Sequence, residues 1–553
     1  MKKFTAILLA VVMLFALSVS AFAATNSLET DYAIGDGLGV SVDLDIEGMY
    51  FDGVDILNTA TNGYYPFSFS LIASDRSKVA SVTVSNGGSF HWAYAQNADG
   101  SYVTDEDGNY VESTTTNYGV VVLPTTSAST VTVTGTGNIG SATFNCAQPN
   151  GGTTAAGAAL YAYLPAPAQF VNEGVTTGGW GDAYDSNGTV KATSSTGVSL
   201  GFFGGYAVYE FENPIADDPT HPYGADFIVY GNAFWNNSEA GCIQVSKDGA
   251  TWYDIAGSMY YTKSTKGATI TYTNPSTSED AGITAAGTNL GTLAPVNYTL
   301  NGTAGTVTTN TFHNHSWFPL NANYFTASGS RAAMAKLDEF SFVSRTLASN
   351  GVTNTLTFTG TLLTDYPGTG KTDQIGFGYC DVHPNKTLGG TIAYNPYQTF
   401  TSSSDYDTKV AGTSGGDPID IAWAVNPDGT PANLDSIRYV RIYTGMAQMN
   451  GIFGEISTEV CGVAASTGTG AGKATTDLVV RRGTRTVTTT NNTAVPVTAG
   501  NNFKITSSEE NVYLNGVKVT ASAGYSFTVE SGKTYQIITQ SGTEAPYITV
   551  LVG

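Results

Sequence analysis

Charge is scarce in this chain. Only 12% of its 553 residues are Asp, Glu, Lys or Arg, while 41% are hydrophobic. A helical enzyme rich in Glu, Lys and Leu does not have that composition. Basic residues are scarcer still: 23 Lys and Arg stand against 45 acids, for a net charge of −22. Nucleic acids and anionic membranes are bound by cations that neutralise phosphate, so the balance argues against both as partners. Histidine is rare, at five residues. Few bases are left for a Ser–His pair. Gly370-Lys371-Thr372 lacks the earlier Gly of a phosphate loop, since Asp365 holds that place and no helical pattern follows. The four cysteines, Cys146, Cys242, Cys380 and Cys461, form no Cys-x-x-Cys. Neither a zinc site nor a redox motif is suggested. Their plain reading is buried thiols, with a pair among Cys242, Cys380 and Cys461 left open.

Long apolar runs are also missing, with one exception at the start. Lys2 and Lys3 precede an apolar stretch from Phe4 to about Val19, and Ala21-Phe22-Ala23 follows. A basic start, an apolar run and a small-x-small site read as a cleaved signal peptide over residues 1–23. The expected protein is extracellular or held at the cell surface, without a membrane span. Removing that segment leaves 21 cations and 45 acids, net −24.

Gly (64), Tyr (32), Thr and Ser are plentiful, as exposed sheets joined by turns require. Alternation of period two marks strands at Ala80–Ser85, Val131–Thr134, Thr355–Phe358 and Tyr439–Tyr443. Asp99-Gly100, Asp107-Gly108, Asp248-Gly249, Asp428-Gly429 and Asn515-Gly516 supply the positive φ of tight hairpins. One helix is expected, over Arg331–Phe342. No fixed-period repeat is seen. The predicted fold is all-β: a jelly-roll or β-sandwich centre over 160–463, flanked by smaller β-sandwich-like domains. These are an N-terminal domain over 24–150 and a C-terminal domain over 477–553, the latter after an Ala/Ser/Thr/Gly linker at 464–476. Thr262–Thr311, rich in Thr, Gly and Asn, reads as a long insertion or irregular strands.

The middle segment carries a series of ordered motifs. It opens on Pro165-Ala166-Pro167-Ala168-Gln169-Phe170-Val171-Asn172, then runs Ser199-Leu200-Gly201-Phe202-Phe203-Gly204-Gly205-Tyr206. Asp226–Phe234, Ser238-Glu239-Ala240-Gly241 and Thr251–Ser258 follow. Gly378-Tyr379-Cys380-Asp381, Asp420–Val425, Val440–Gly445 and Gly454–Val460 complete it. In order and spacing this resembles a family of bacterial secreted proteins labelled "cell surface protein", over about residues 160–462. The resemblance implies a jelly roll of the galactose-binding-like kind and carries no settled activity. Relatives often hold an Asp/Asn-rich, calcium-like insertion before Thr-Trp-Tyr. Here it shrinks to Lys247-Asp248-Gly249-Ala250, an ordinary hairpin turn.

Site candidates follow from residue type and place. Asn232, Glu239, Asp381, Asp420 and Glu455 fall beside Gly or aromatics at expected strand ends, where loops carry binding. Their oxygens suit a sugar or a hard cation such as calcium; equally, they suit backbone amides in turns. Trp235, before Asn236-Asn237, is the expected surface aromatic, whereas Trp252 and Trp423 sit in apolar runs and read as core. His313 and His315 share one strand face, as a β-metal site begins. Asp105, Asp107 and Asn109 outline a loose calcium loop, although Tyr110 and Thr116 occupy the EF-hand's Gly and Glu positions. A hairpin explains Asp107-Gly108 equally well.

The reading reached is a non-enzymatic surface protein binding a glycan or small polar ligand at a loop rim. A structural or adhesive envelope component, with envelope proteins as partners, is the first alternative. A carbohydrate-active hydrolase is the second, since paired carboxylates can come from anywhere in a chain.

Overall fold

A computed structural model describes residues 31–35, 38–43, 68–93, 111–122, 129–146, 158–170, 197–235, 237–249, 251–275, 294–310, 317–318, 343–347, 353–364, 375–391, 394–451, 454–468 and 477–553, with 95, 103, 105, 313 and 474. The signal-like segment 1–23 and the helix expected at 331–342 lie outside the described residues. The chain is an all-β sandwich protein built from antiparallel sheets. One α-helix is described, Ser403–Lys409, begun by Ser402, whose hydroxyl accepts from the amide of Asp405. Among the described residues no helix is long and apolar enough to cross a membrane.

The centre is layered three deep. Its middle layer is a six-stranded sheet, ordered Ala424–Val425, Tyr253–Ile255, Gly241–Ser246, Ser436–Thr444, Tyr206–Ala216, Ala158–Leu164. On one face, Tyr209, Ile243, Val245, Val440 and Ile442 pack against the three-stranded sheet Asp417–Ile419, Phe227–Tyr230, Gly462–Ala465. On the other, Tyr206, Val208, Cys242, Tyr439 and Tyr443 pack against a five-stranded sheet. That sheet runs Thr303–Val307, Val296–Leu300, Ser264–Thr273, Thr353–Leu363, Val343–Leu347. Successive side chains of a strand leave on opposite faces, so a strand covered on both sides is buried at nearly every position. Tyr439–Thr444 is buried throughout.

The segment read as an insertion or irregular strands is regular sheet in most of its described residues, over Ser264–Thr273, Val296–Leu300 and Thr303–Val307. Ala268, Ile270 and Tyr272 point inward at period two, while Thr and Gly fill the outer face and mask the pattern. The expected linker also differs at its start. Ala464 and Ala465 complete the strand Gly462–Ala465, pairing with Ile228 and Phe227. Small apolar side chains suit a covered strand as well as a linker.

The C-terminal domain pairs a four-stranded sheet with a five-stranded one, which contains the parallel pair Thr493–Pro496 and Tyr547–Val552. It is packed onto the centre, not strung from it. Tyr513 meets Phe377 edge-on and Tyr397 at a tilt, and its hydroxyl donates to the Tyr397 carbonyl at 2.7 Å. Tyr397 in turn accepts from the indole of Trp423 at 3.0 Å. At the Asn515-Gly516 hairpin, Gly516 has φ 76° and lies against the Ser258 carbonyl, where a Cβ would stand 1.8 Å from the oxygen. The N-terminal domain holds a five-stranded and a three-stranded sheet, and its Val40, Leu71, Val131 and Val133 belong to the core that runs on into the centre.

Candidate functional site

The strand Phe227–Tyr230 ends at Gly231, and the chain then makes a short loop before the strand Gly241–Ser246. Both ends of that loop are tied to one residue. The amide of Asn232 donates to the Asp381 carboxylate at 2.8 Å, and the amide of Glu239 donates to the Asp381 carbonyl at 3.0 Å. Ser238 adds a bond to the Val382 carbonyl at 3.0 Å. Asp381 has φ 62°, in the left-handed region that Asp tolerates better than most side chains. Gly231 makes room for it, since a Cβ there would meet the Asp381 carboxylate at 2.3 Å.

The second oxygen of Asp381 accepts from the amide of Glu459 at 3.0 Å. This brings Glu239, Asp381 and Glu459 together, with one carboxylate oxygen from each lying within 4.8 Å of the others. Asp381 and Glu459 are buried and Glu239 is half-buried, so Glu239 is the member open to solvent. Burial pushes Glu239 up to about 7. Asp381 and Glu459 are held well above the usual carboxylate range, first by burial and then by the charge of Glu239. Glu239 and Glu459 hydrogen-bond to each other through their side chains, which requires a proton between them. Such a set has two ways to be satisfied: it keeps protons, or it offers three of the roughly six to eight oxygens that calcium takes.

The tip of the loop is aromatic. Phe234 is 72% exposed, and it bridges to Asn237. Trp235 is half-buried and leans on Phe400 and Tyr406, each 6.3 Å away between ring centroids. Behind them His383 stacks on Tyr406 and shares its Nδ1 with the Asp417 carboxylate at 2.8 Å.

Of the six residues expected to bind ligand, the structure gathers Asn232, Glu239 and Asp381, with Trp235 on the same loop. Glu455 is buried and takes the amide of Gln169 at 3.2 Å; burial pushes it up to about 8, and Glu239 adds to the shift. Asp420 belongs elsewhere. It caps the short helix Ile421–Trp423 through the amide of Ala422 and forms a second acidic group with Asp217 and Asp226. That group sits at the opposite end of the three-stranded sheet. Asp226 also takes the amides of Asp218 and Ile421 and the imidazole of His221. Backbone-capping bonds thus account for Asp381, Asp420 and Glu455 in part.

The metal expectations fare differently. Asp105 is exposed and His313 packs its ring edge-on against Phe170 at 4.8 Å. Neither belongs to either acidic group among the described residues. Asp107, Asn109 and His315 lie outside the described residues. Trp423 is core, as expected, whereas Trp252, also expected in the core, is only partly buried, against the tyrosine-rich cluster on the other face of the central sheet. Cys242, Cys380 and Cys461 are buried free thiols. Sequence reasoning missed Phe234, Asp217 and Asp226, and weighed Glu459 only as a partner for Glu455, four residues away on one strand face. Phe234 had a signal, an aromatic immediately after Gly-Asn-Ala at a strand end. Glu459 lies 78 residues from Asp381, and Asp217 and Asp226, nine residues apart, meet their third member Asp420 only across 194 residues or more.

No family model matches the chain, and no curated protein matches it.

Proposed function

We propose that this is an exported, non-enzymatic cell-surface protein whose central sandwich binds a glycan or small polar ligand at the loop of residues 231–239. One observation carries the reading. Phe234, 72% exposed, stands on a loop whose base holds half-buried Asn232 and Glu239 and the carboxyl group of three. An exposed ring beside hydrogen-bonding oxygens is the pairing that a sugar needs, an apolar face for its C–H side and acceptors for its hydroxyls. The signal-like start and the resemblance to secreted surface proteins agree with it. A hydrolase is supported less well, because Glu239 and Glu459 bring carboxylate oxygens within 4.8 Å of each other, closer than the roughly 5–5.5 Å of a retaining pair.

A thermal-shift screen of the protein against neutral and acidic oligosaccharides, calcium and a chelator tests the proposal. A ligand that binds the folded state raises Tm by mass action. A sugar-induced rise that Phe234→Ala or Glu239→Gln removes, measured against each variant's own unliganded Tm, is the expected result. A rise that survives both variants places the site elsewhere, and a flat response across the panel overturns the small-ligand reading.

A further inference from the structure

The C-terminal domain differs in charge from the rest of the chain. Residues 477–553 carry six bases and five acids, net +1, so the remainder carries −23. Four of the six bases fall on one sheet. In that sheet, ordered Arg485–Thr486, Val479–Arg482, Asn502–Thr506, Tyr525–Thr528, the register sets Arg481 opposite Thr486 on one side and Lys504 on the other. Lys504 in turn lies opposite Ser526. Val480, Phe503 and Ile505 turn into the core, whereas Arg481, Lys504, Ser526 and Thr486 are exposed. The outer face thus presents an unbroken row, Thr486–Arg481–Lys504–Ser526, one residue from each strand. At the hairpin end Arg482 stands opposite Arg485, also exposed.

Residues directly opposite in an antiparallel pair lie about 5 Å apart, and like charges there are unfavourable. Two like-charged pairs side by side work against the sheet they sit on. None of the four cations has an acid in ion-pair contact among the described residues. Lys504 is also positioned: its stem runs over Gly524, where a Cβ would come within 1.8 Å of Cε. Folding does not ask for this arrangement, and an external anion would relieve it.

We infer that this face binds a linear anionic polysaccharide and so ties the protein to a charged polymer. The row is made of donors throughout, two cations flanked by two hydroxyls, and it spans four strands, about 14 Å at ordinary strand spacing. Repeated anionic groups along a polymer meet such a row in register. A protein partner fits it poorly, because protein interfaces have an apolar centre depleted of Lys, and the apolar residue beside this row, Val479, is half-buried. The face is distinct from the loop at residues 231–239, and the inference stands whether or not that loop binds a sugar.

Polygalacturonate immobilised on a biosensor, with dextran as the uncharged control, tests it on the full chain. Binding to polygalacturonate and not to dextran is expected, weakening steeply with added salt. R481Q/K504Q is expected to lower affinity about tenfold or more, through loss of two of the neutralising charges. Both side chains are exposed, and a melting temperature at or above that of the unaltered protein shows that the variant is folded. Absence of binding at low salt, equal binding to dextran, or full binding by R481Q/K504Q overturns the inference. So does tighter binding to single-stranded DNA, or self-association at low salt that the double variant abolishes; the latter assigns the face to a second copy of the chain.

Discussion

Glu239 and Asp381 are joined twice, by a backbone hydrogen bond of 3.0 Å and by carboxyl oxygens that meet within 4.8 Å. The first contact fixes the second: the loop is held at the residue whose charge its own acid must tolerate. Asp381→Ala would leave the buried amides of Asn232 and Glu459 without acceptors, at about 1–3 kcal/mol for each. A loss of roughly 2–5 kcal/mol in urea unfolding is expected. Asp381→Asn keeps one carbonyl oxygen and removes the charge, so it should lose much less at pH 8 than Asp381→Ala. Equal losses would show that the amide bonds are unimportant.

The three acids predict a pH dependence of stability. In the folded state Glu239 holds its proton up to about 7, whereas an unfolded glutamate releases it near 4.5. A raised acid stabilises fully below the unfolded value and loses that contribution as pH rises through the folded one. Melting temperature should therefore fall between pH 5 and pH 8, and Glu239→Gln should flatten the fall. Calcium at pH 8 should restore the lost stability if the carboxylates take the ion. A calcium effect that Glu239→Gln leaves intact would assign the ion elsewhere.

A second pH-sensitive contact lies where the centre meets the C-terminal domain. Burial and the charge of Asp226 push Asp217 up to about 7, and Asp420 is raised by burial and by both other acids. The adjoining Tyr223 amide donates to the Thr543 carbonyl at 3.1 Å. Ionisation above pH 7 should loosen this junction, seen as reduced hydrogen-exchange protection at Tyr223 after correction for intrinsic rate. In Asp217→Asn the protection should change less with pH. Equal change in both proteins would remove Asp217 from the account.

The packing of Tyr513 on Tyr397 and Trp423 predicts that centre and C-terminal domain melt together. Calorimetry should give one transition covering both. Tyr513→Phe strips the buried Tyr397 carbonyl of its donor and should cost about 1–2 kcal/mol. Gly516→Ala should cost more, because it combines a strained φ with a collision against Ser258. Two separate transitions in the unaltered protein would contradict the shared core.

Much of the local structure was legible in the residue order, because strand and hairpin signals are local. The alternation at Val131–Thr134, Thr355–Phe358 and Tyr439–Tyr443 corresponds to the strands Ser129–Gly135, Thr353–Leu363 and Ser436–Thr444. Asp248-Gly249, Asp428-Gly429 and Asn515-Gly516 stand at turns with positive φ at glycine. A preference for a pleated backbone or a left-handed turn resides in a few adjacent side chains, and needs nothing from elsewhere.

Layering and site composition needed the whole chain. Alternation in Tyr439–Tyr443 announces a strand with one wet face, yet both faces are covered and Arg441 is 1% exposed. The cover on that side is the five-stranded sheet whose strands run from Ser264–Thr273 to Thr353–Leu363, and no local pattern records which distant sheet will settle on a strand. The acids behave alike. Asp381 could be read as a polar residue at a strand end, but that its carboxylate meets Glu459 and Glu239 follows from three chain crossings at one sheet edge. Charge proximity, and the protonation or cation it demands, exists only once those crossings are made.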